Sequence, residues 1–271
     1  MVTLLPGADR LLAEQAAELP QKDDLCGAFW GLVALRAAGR WASPAGGPLD
    51  QEAVALAAGS VLSPPPRTGS LPPGEAGRRD FRLALPVASE GTPAGTSAGG
   101  LARAIAELSG GALAAVPATG AWDRARLLGL LTRAATSPAS LAVLANPAMG
   151  ALWGPGVRAD QIAPYLEGGE DTAPSSTWRV GHYVAVLGYS LGRRGSLVTI
   201  ADSYRSRGPA GVHLQPSERL AAALRRDGER PAGLLLVVAA NDAEQAQRWV
   251  NATGLTSALW DNGSPDARTQ T

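Results

Sequence analysis

Two short apolar runs with a glycine-bearing turn between them commit this chain to an antiparallel sheet. The first, Tyr183-Val184-Ala185-Val186-Leu187, is bounded by Gly181 and Gly188, and the second runs from Leu197 to Ala201. Both are short, unbroken and rich in β-branched residues, the pattern of buried strands. The link Ser190–Ser196 contains Gly192 and Gly195, so a hairpin is the simplest connection. Residues 232–239 (Ala-Gly-Leu-Leu-Leu-Val-Val-Ala) form the most continuous apolar stretch in the chain and are expected at the centre of the same sheet.

Most of the remaining chain reads as helices. Leu5–Leu19 is expected to be helical, entered through Pro6-Gly7-Ala8-Asp9 and ended by Pro20. A second helix follows Cys26, with Phe29, Leu32, Val33 and Leu35 on it and a stop at Gly39. Further helices are expected from Asp50 to Ala58, over 101–108, 123–135 and 217–226, and from Asp242 to about Val250. Short strands are expected at 81–87, 112–116 and 141–144, and the proline- and glycine-rich stretches 63–80 and 89–99 read as surface loops. The fold class is therefore α+β, a helical layer packed on an antiparallel sheet. A chain of 271 residues can bury a large core. Residues 1–260 are expected to form one domain with an enlarged segment at about 43–170, and the polar tail 261–271 to be disordered. The enlarged segment reads either as a cap or groove wall that decides the substrate, or as an ordinary helical half with long loops.

The residues able to carry chemistry are few. The chain has one cysteine and two histidines. Cys26 opens a helix, His182 stands at the mouth of the first strand of the hairpin, and Asp202 stands at the end of the second. Nucleophilic thiol catalysis needs such a set: a thiolate formed against an imidazolium, aided by the positive end of a helix dipole. It also needs a carboxylate that fixes the imidazole tautomer, and an antiparallel pairing of the two strands brings Asp202 near His182. Gln21, five residues before Cys26, is placed to donate its side-chain amide to a developing oxyanion. Trp153 and Trp178 fall in loops, the latter four residues before His182. Both are candidates to line the substrate cleft on the leaving-group side, with core packing as the alternative for each. His213, just before a helix expected at Ser217, reads as structural.

At these positions the chain resembles the papain-like cysteine peptidases, and most closely the bacterial branch that trims leader peptides from secreted peptides (the bacteriocin-processing type). The matching residues are Gln21, Cys26-Gly27, Gly181-His182-Tyr183-Val184 and Asp202. Leu25 stands where that branch usually has an Asp before the Cys, with Asp24 one position earlier, and Ser203 replaces a frequent Pro after the acid. The likeness covers residues 15–40 and 175–210. It implies a papain-like fold, with Cys26 on the helical layer and His182 and Asp202 on the sheet, and hydrolysis of a peptide bond through a Cys26 thioester. Two alternatives stay open: an acyltransferase or thioesterase, since the same thioester can pass to an amine or alcohol, and a binding module of the same fold without turnover.

Charge and composition narrow the partners. Lys plus Arg and Asp plus Glu are 24 each, giving zero formal net charge. Nothing therefore favours nucleic acid or an acidic membrane surface. No run of eighteen apolar residues marks a membrane-spanning helix, and the N-terminus has no basic region before its apolar residues. One cysteine and two histidines do not make a usual zinc site, so no metal and no other cofactor is expected. A single cysteine forms no internal disulfide, and a reactive thiol persists best in a reducing compartment, so the expected location is cytoplasmic. The expected partner is a peptide or another acyl-donor substrate.

Overall fold

The structure, a computed structural model, describes residues 2–64, 71–226 and 230–269. Residues 65–70 of the expected loop and 270–271 of the expected tail lie outside them. The fold is α+β: one antiparallel sheet of seven strands with eight α-helices among the described residues. The strands are β1 (Val2–Leu4), β2 (Leu113–Ala118), β3 (Ala142–Ala145), β4 (Val184–Leu191), β5 (Ser196–Ala201), β6 (Val212–Pro216) and β7 (Leu234–Ala239). The helices are α1 (Ala8–Glu18), α2 (Cys26–Ala37), α3 (Gln51–Ala58), α4 (Ala98–Leu108), α5 (Arg124–Ala135), α6 (Ala159–Glu167), α7 (Ser217–Arg225) and α8 (Ala243–Asn251).

The sheet runs β2-β7-β3-β4-β5-β6, and β1 pairs with the outer half of β4. The expected hairpin is present, with Ala185 opposite Ala201 and Leu191 opposite Ser196, and a register shift between Val186 and Gly188. At that shift β1 crosses closely: a Cβ on Gly188 would lie 2.2 Å from the Thr3 carbonyl oxygen. Strand β7 lies between β2 and β3, inside the sheet, as its unbroken apolar run predicts.

Helices cover both faces of the sheet, and the side-chain alternation of each strand serves both. Leu144, Ala185, Leu187, Leu235 and Val237 meet Phe29, Trp30 and Val33 of α2 and Leu101 and Ile105 of α4. Val143, Val184, Val186, Leu234 and Leu236 face the other way, toward Leu127 and Leu131 of α5, Leu220 and Leu224 of α7 and Trp249 of α8. A strand buried on both faces loses the alternation of polar and apolar residues, which is why β3, β4 and β7 read as solid apolar runs. The single helical layer expected from the sequence is thus one of two.

Other departures have local causes. Residues 81–87 form no strand, only a parallel bridge between Leu62 and Val87. Pro86 removes an N–H from that stretch, and its backbone is drawn instead onto Glu52, which accepts from Arg82 N at 2.6 Å and Leu83 N at 2.5 Å. The segment 43–170 supplies α3 to α6 together with β2 and β3, and β3 sits between β7 and β4, so the segment is built into the sheet. The tail expected to be disordered lies along the helical layer as far as Thr269. Arg103 donates to both carboxylate oxygens of Asp266 at 2.9 and 3.0 Å, and Ala267 N donates to Gly59 O at 3.0 Å. Among the described residues, no helix is long and apolar enough to cross a membrane.

Candidate active site

Cys26 is the first residue of α2. The approach to it is a tight turn in which Asp24 takes a left-handed conformation (φ 64°). Asp is among the non-glycine residues that tolerate this region, and the Asp24 carboxylate holds the turn by accepting from Ser63 N at 2.9 Å and from the Ser63 hydroxyl. The N-cap position is Leu25, so no side chain caps the start of the helix, and Cys26 sits in the positive field of that end. Gly27 lets the segment at Thr96 approach: a Cβ there would lie 2.7 Å from Thr96 Cβ.

His182 precedes β4 and is almost fully buried. Its Nε2 lies 3.0 Å from Asp202 Oδ1, so that nitrogen carries a proton toward the carboxylate and Nδ1 is left for Cys26. Burial alone would lower the imidazole pKa, but the Asp202 carboxylate, followed by the hydrogen-bonding and charge interactions with Cys26, raises it to about 9. Asp202 is wholly buried, which by itself favours the neutral acid; the neighbouring His182 and His213 hold it well below the usual carboxylate range. Trp178 packs on the His182 ring at 4.9 Å, and Tyr204 stacks on it at 5.6 Å.

Further residues hold Asp202. Tyr204 N donates to Oδ1 at 3.0 Å, and Gln15 Nε2 of α1 donates to the Asp202 carbonyl at 2.6 Å. Arg207 Nε and His213 Nε2 each lie 3.8 Å from Oδ2. His213 is on β6, where its Nδ1 accepts from Gln215 Nε2 at 2.9 Å, which turns Nε2 toward Asp202. The structural role expected for His213 is thus one next to the acid. The alternation Val212-His213-Leu214-Gln215 was the sequence signal for this strand.

Gln21 is buried beside these groups. Ser203 Oγ donates to its Oε1, and its Nε2 donates to the Tyr204 hydroxyl at 2.9 Å and to Lys22 O at 3.4 Å. A cavity of about 420 Å³ brings Gln21, Cys26, Trp178, His182 and Tyr204 onto one surface, closed by residues 93–96 on one side and Asn262–Ser264 on another. Trp178 therefore lines the cleft. Trp153 does not: it packs with Tyr165, Ala173 and Leu197 in a separate cluster, its indole N–H donating to Asp171 Oδ1 at 2.7 Å. Its expected place on the cleft is corrected to core packing, because Tyr165 of α6, Ala173 after it and Leu197 of β5 together bury it. The sequence reading missed Tyr204 and Arg207, which follow the acid in irregular segments that carry no periodic signal. Among the described residues, no group of three or more His, Cys, Asp or Glu is arranged to hold a metal ion.

The arrangement can form a thiolate–imidazolium pair at a helix start, orient the imidazole with a buried carboxylate, and present both to a solvent-connected cleft. No curated protein and no solved structure matches the chain. Residues 5–261 match a family model, and the chain belongs to that group, the Family of unknown function (DUF6885).

Proposed function

We propose that this protein is a cysteine-dependent hydrolase that cleaves a peptide bond through a thioester on Cys26, in the manner of the papain-like peptidases that its motifs resemble. The observation that carries the reading is the convergence of Cys26 and His182, far apart in sequence, on one cleft, with Asp202 buried behind His182 and hydrogen-bonded to it. Cys26 Sγ adds to the substrate carbonyl as the carbonyl π pair moves to oxygen. His182 Nδ1–H then protonates the leaving nitrogen, the C–N bond breaks and the thioester remains; water, deprotonated by the same imidazole, releases the acid. Asp202 keeps the imidazole in the productive tautomer throughout. A cleft of about 420 Å³ has room for a few residues of an extended peptide. The single free cysteine fits a reducing, cytoplasmic setting.

The test is turnover of a pool of acetylated tripeptide 4-nitrophenyl esters, with glycinamide added as a second acceptor. Hydrolysis predicts free acid as the main product and no turnover by Cys26→Ala. Amide formation in place of acid would move the assignment to acyl transfer, and turnover by Cys26→Ala would remove the thioester altogether.

A further inference from the structure

In the resting structure, Gln21 does not present a free amide N–H to the space beside Cys26. Its Nε2 gives its hydrogens to the Tyr204 hydroxyl and the Lys22 carbonyl, and its Oε1 is held by Ser203. The Tyr204 oxygen is an acceptor in this contact, and its own proton has no acceptor among the described residues. Tyr204 is nearly buried yet lines the cleft with Cys26. Its ring is fixed by His182 on one side and, edge-on at 5.7 Å, by Trp178 on another. Resting on the thioester reading above, we infer that Tyr204 is a catalytic residue: its hydroxyl is the side-chain donor to the oxyanion formed when Cys26 adds to the substrate carbonyl. Gln21 is the positioning residue that orients and polarises it.

The chemistry balances without another reactant. The C–S bond forms, the carbonyl π pair becomes the oxyanion, and Tyr204 O–H shares its proton with that oxygen without giving it up. Burial first, and then the negative charges of Cys26, Asp23 and Asp202, raise the phenol pKa, so Tyr204 remains a neutral donor across the working range. A phenol that already accepts from an amide is a better donor at its own hydrogen, because hydrogen bonds in a chain polarise one another.

The experiment is the rate of Cys26 acylation by the tripeptide 4-nitrophenyl ester pool in wild type, Tyr204→Phe, Gln21→Ala and the double variant. Phenylalanine keeps the ring stack and deletes only the hydroxyl. Tyr204→Phe is expected to lower the acylation rate on the order of a hundredfold, the scale of one oxyanion donor, with KM nearly unchanged and the melting temperature lowered by a few degrees, because the buried Gln21 Nε2 loses its acceptor. Gln21→Ala is expected to cost less, and to add nothing in the Tyr204→Phe background. Equal acylation of wild type and Tyr204→Phe overturns the inference and leaves the thioester reading standing, whereas a wild type that is never acylated overturns both. Full additivity of the two substitutions would show that Gln21 acts independently of Tyr204. If Tyr204→Phe fails to fold, 3-fluorotyrosine at position 204 carries the test: the more acidic phenol is expected to raise the rate by about twofold, and an unchanged rate overturns the inference.

Discussion

Asp202 contributes to the site chiefly through charge. It is buried among His182, His213 and Arg207, and its anionic form is what lifts the His182 pKa to about 9. Asp202→Asn keeps the shape and one hydrogen-bonding oxygen but deletes the charge. The His182 pKa, read from the imidazole proton shifts in an NMR titration with His213→Gln as the assignment control, is expected to fall from about 9 toward the ordinary 6.5. The alkaline limb of Cys26 acylation should move to lower pH with it. An unchanged titration would assign the raised pKa to the contact with Cys26 instead.

Two elements meet at the cleft because small residues permit it. Gly27 on α2 lets Thr96 pass, and Thr96 O accepts from Asn262 Nδ2 at 3.0 Å, so one wall stacks on another. Gly27→Ala should shift the 93–96 wall and destabilise the protein by about 1–3 kcal/mol, the usual cost of overpacking, readable as a lower midpoint in urea. Deleting residues 262–271 removes the Asn262 and Asp266 contacts and opens the cleft. The expected result is a KM for the tripeptide esters raised several-fold, with kcat changed less. An unaltered KM would show that this wall does not touch substrate. The same elements show how far the sequence was legible. Cys26, His182 and Asp202 could be read because each stands where a periodic run begins or ends. Strand β1 is only three residues long and α6 is interrupted by Pro164, so neither gave a clean pattern, whereas β6 carried a short alternation that was legible but not read. Trp153 and Tyr204 were not legible, because long-range packing alone decides which aromatic faces the cleft.

At the scale of the whole molecule, the buried His182 links stability to pH. A folded pKa of about 9 against an unfolded value of 6.5 means that its contribution is fully present below 6.5 and is lost as pH rises through about 9. The shift corresponds to on the order of 3 kcal/mol. Urea midpoints should therefore fall between pH 6.5 and 9.5 in wild type and fall much less in His182→Gln; parallel curves would show that the imidazolium does not stabilise the fold. Two helical layers hold the sheet, and both reach the cleft: α2 and the tail from one side, and Trp178, Tyr204 and Arg226 at the end of α7 from the other. The sheet brings His182 and Asp202, the helical layer brings Cys26, and the proposed chemistry needs all three to act together. The direct measurement is intact mass over time after adding a peptide chloromethyl ketone at pH 7, with wild type and His182→Ala side by side. One adduct is expected, on Cys26, formed in wild type about 10²–10⁴ times faster than in the variant. Equal rates in the two proteins, or no adduct on Cys26 in wild type, would show that the thiol and the imidazole do not act as a pair.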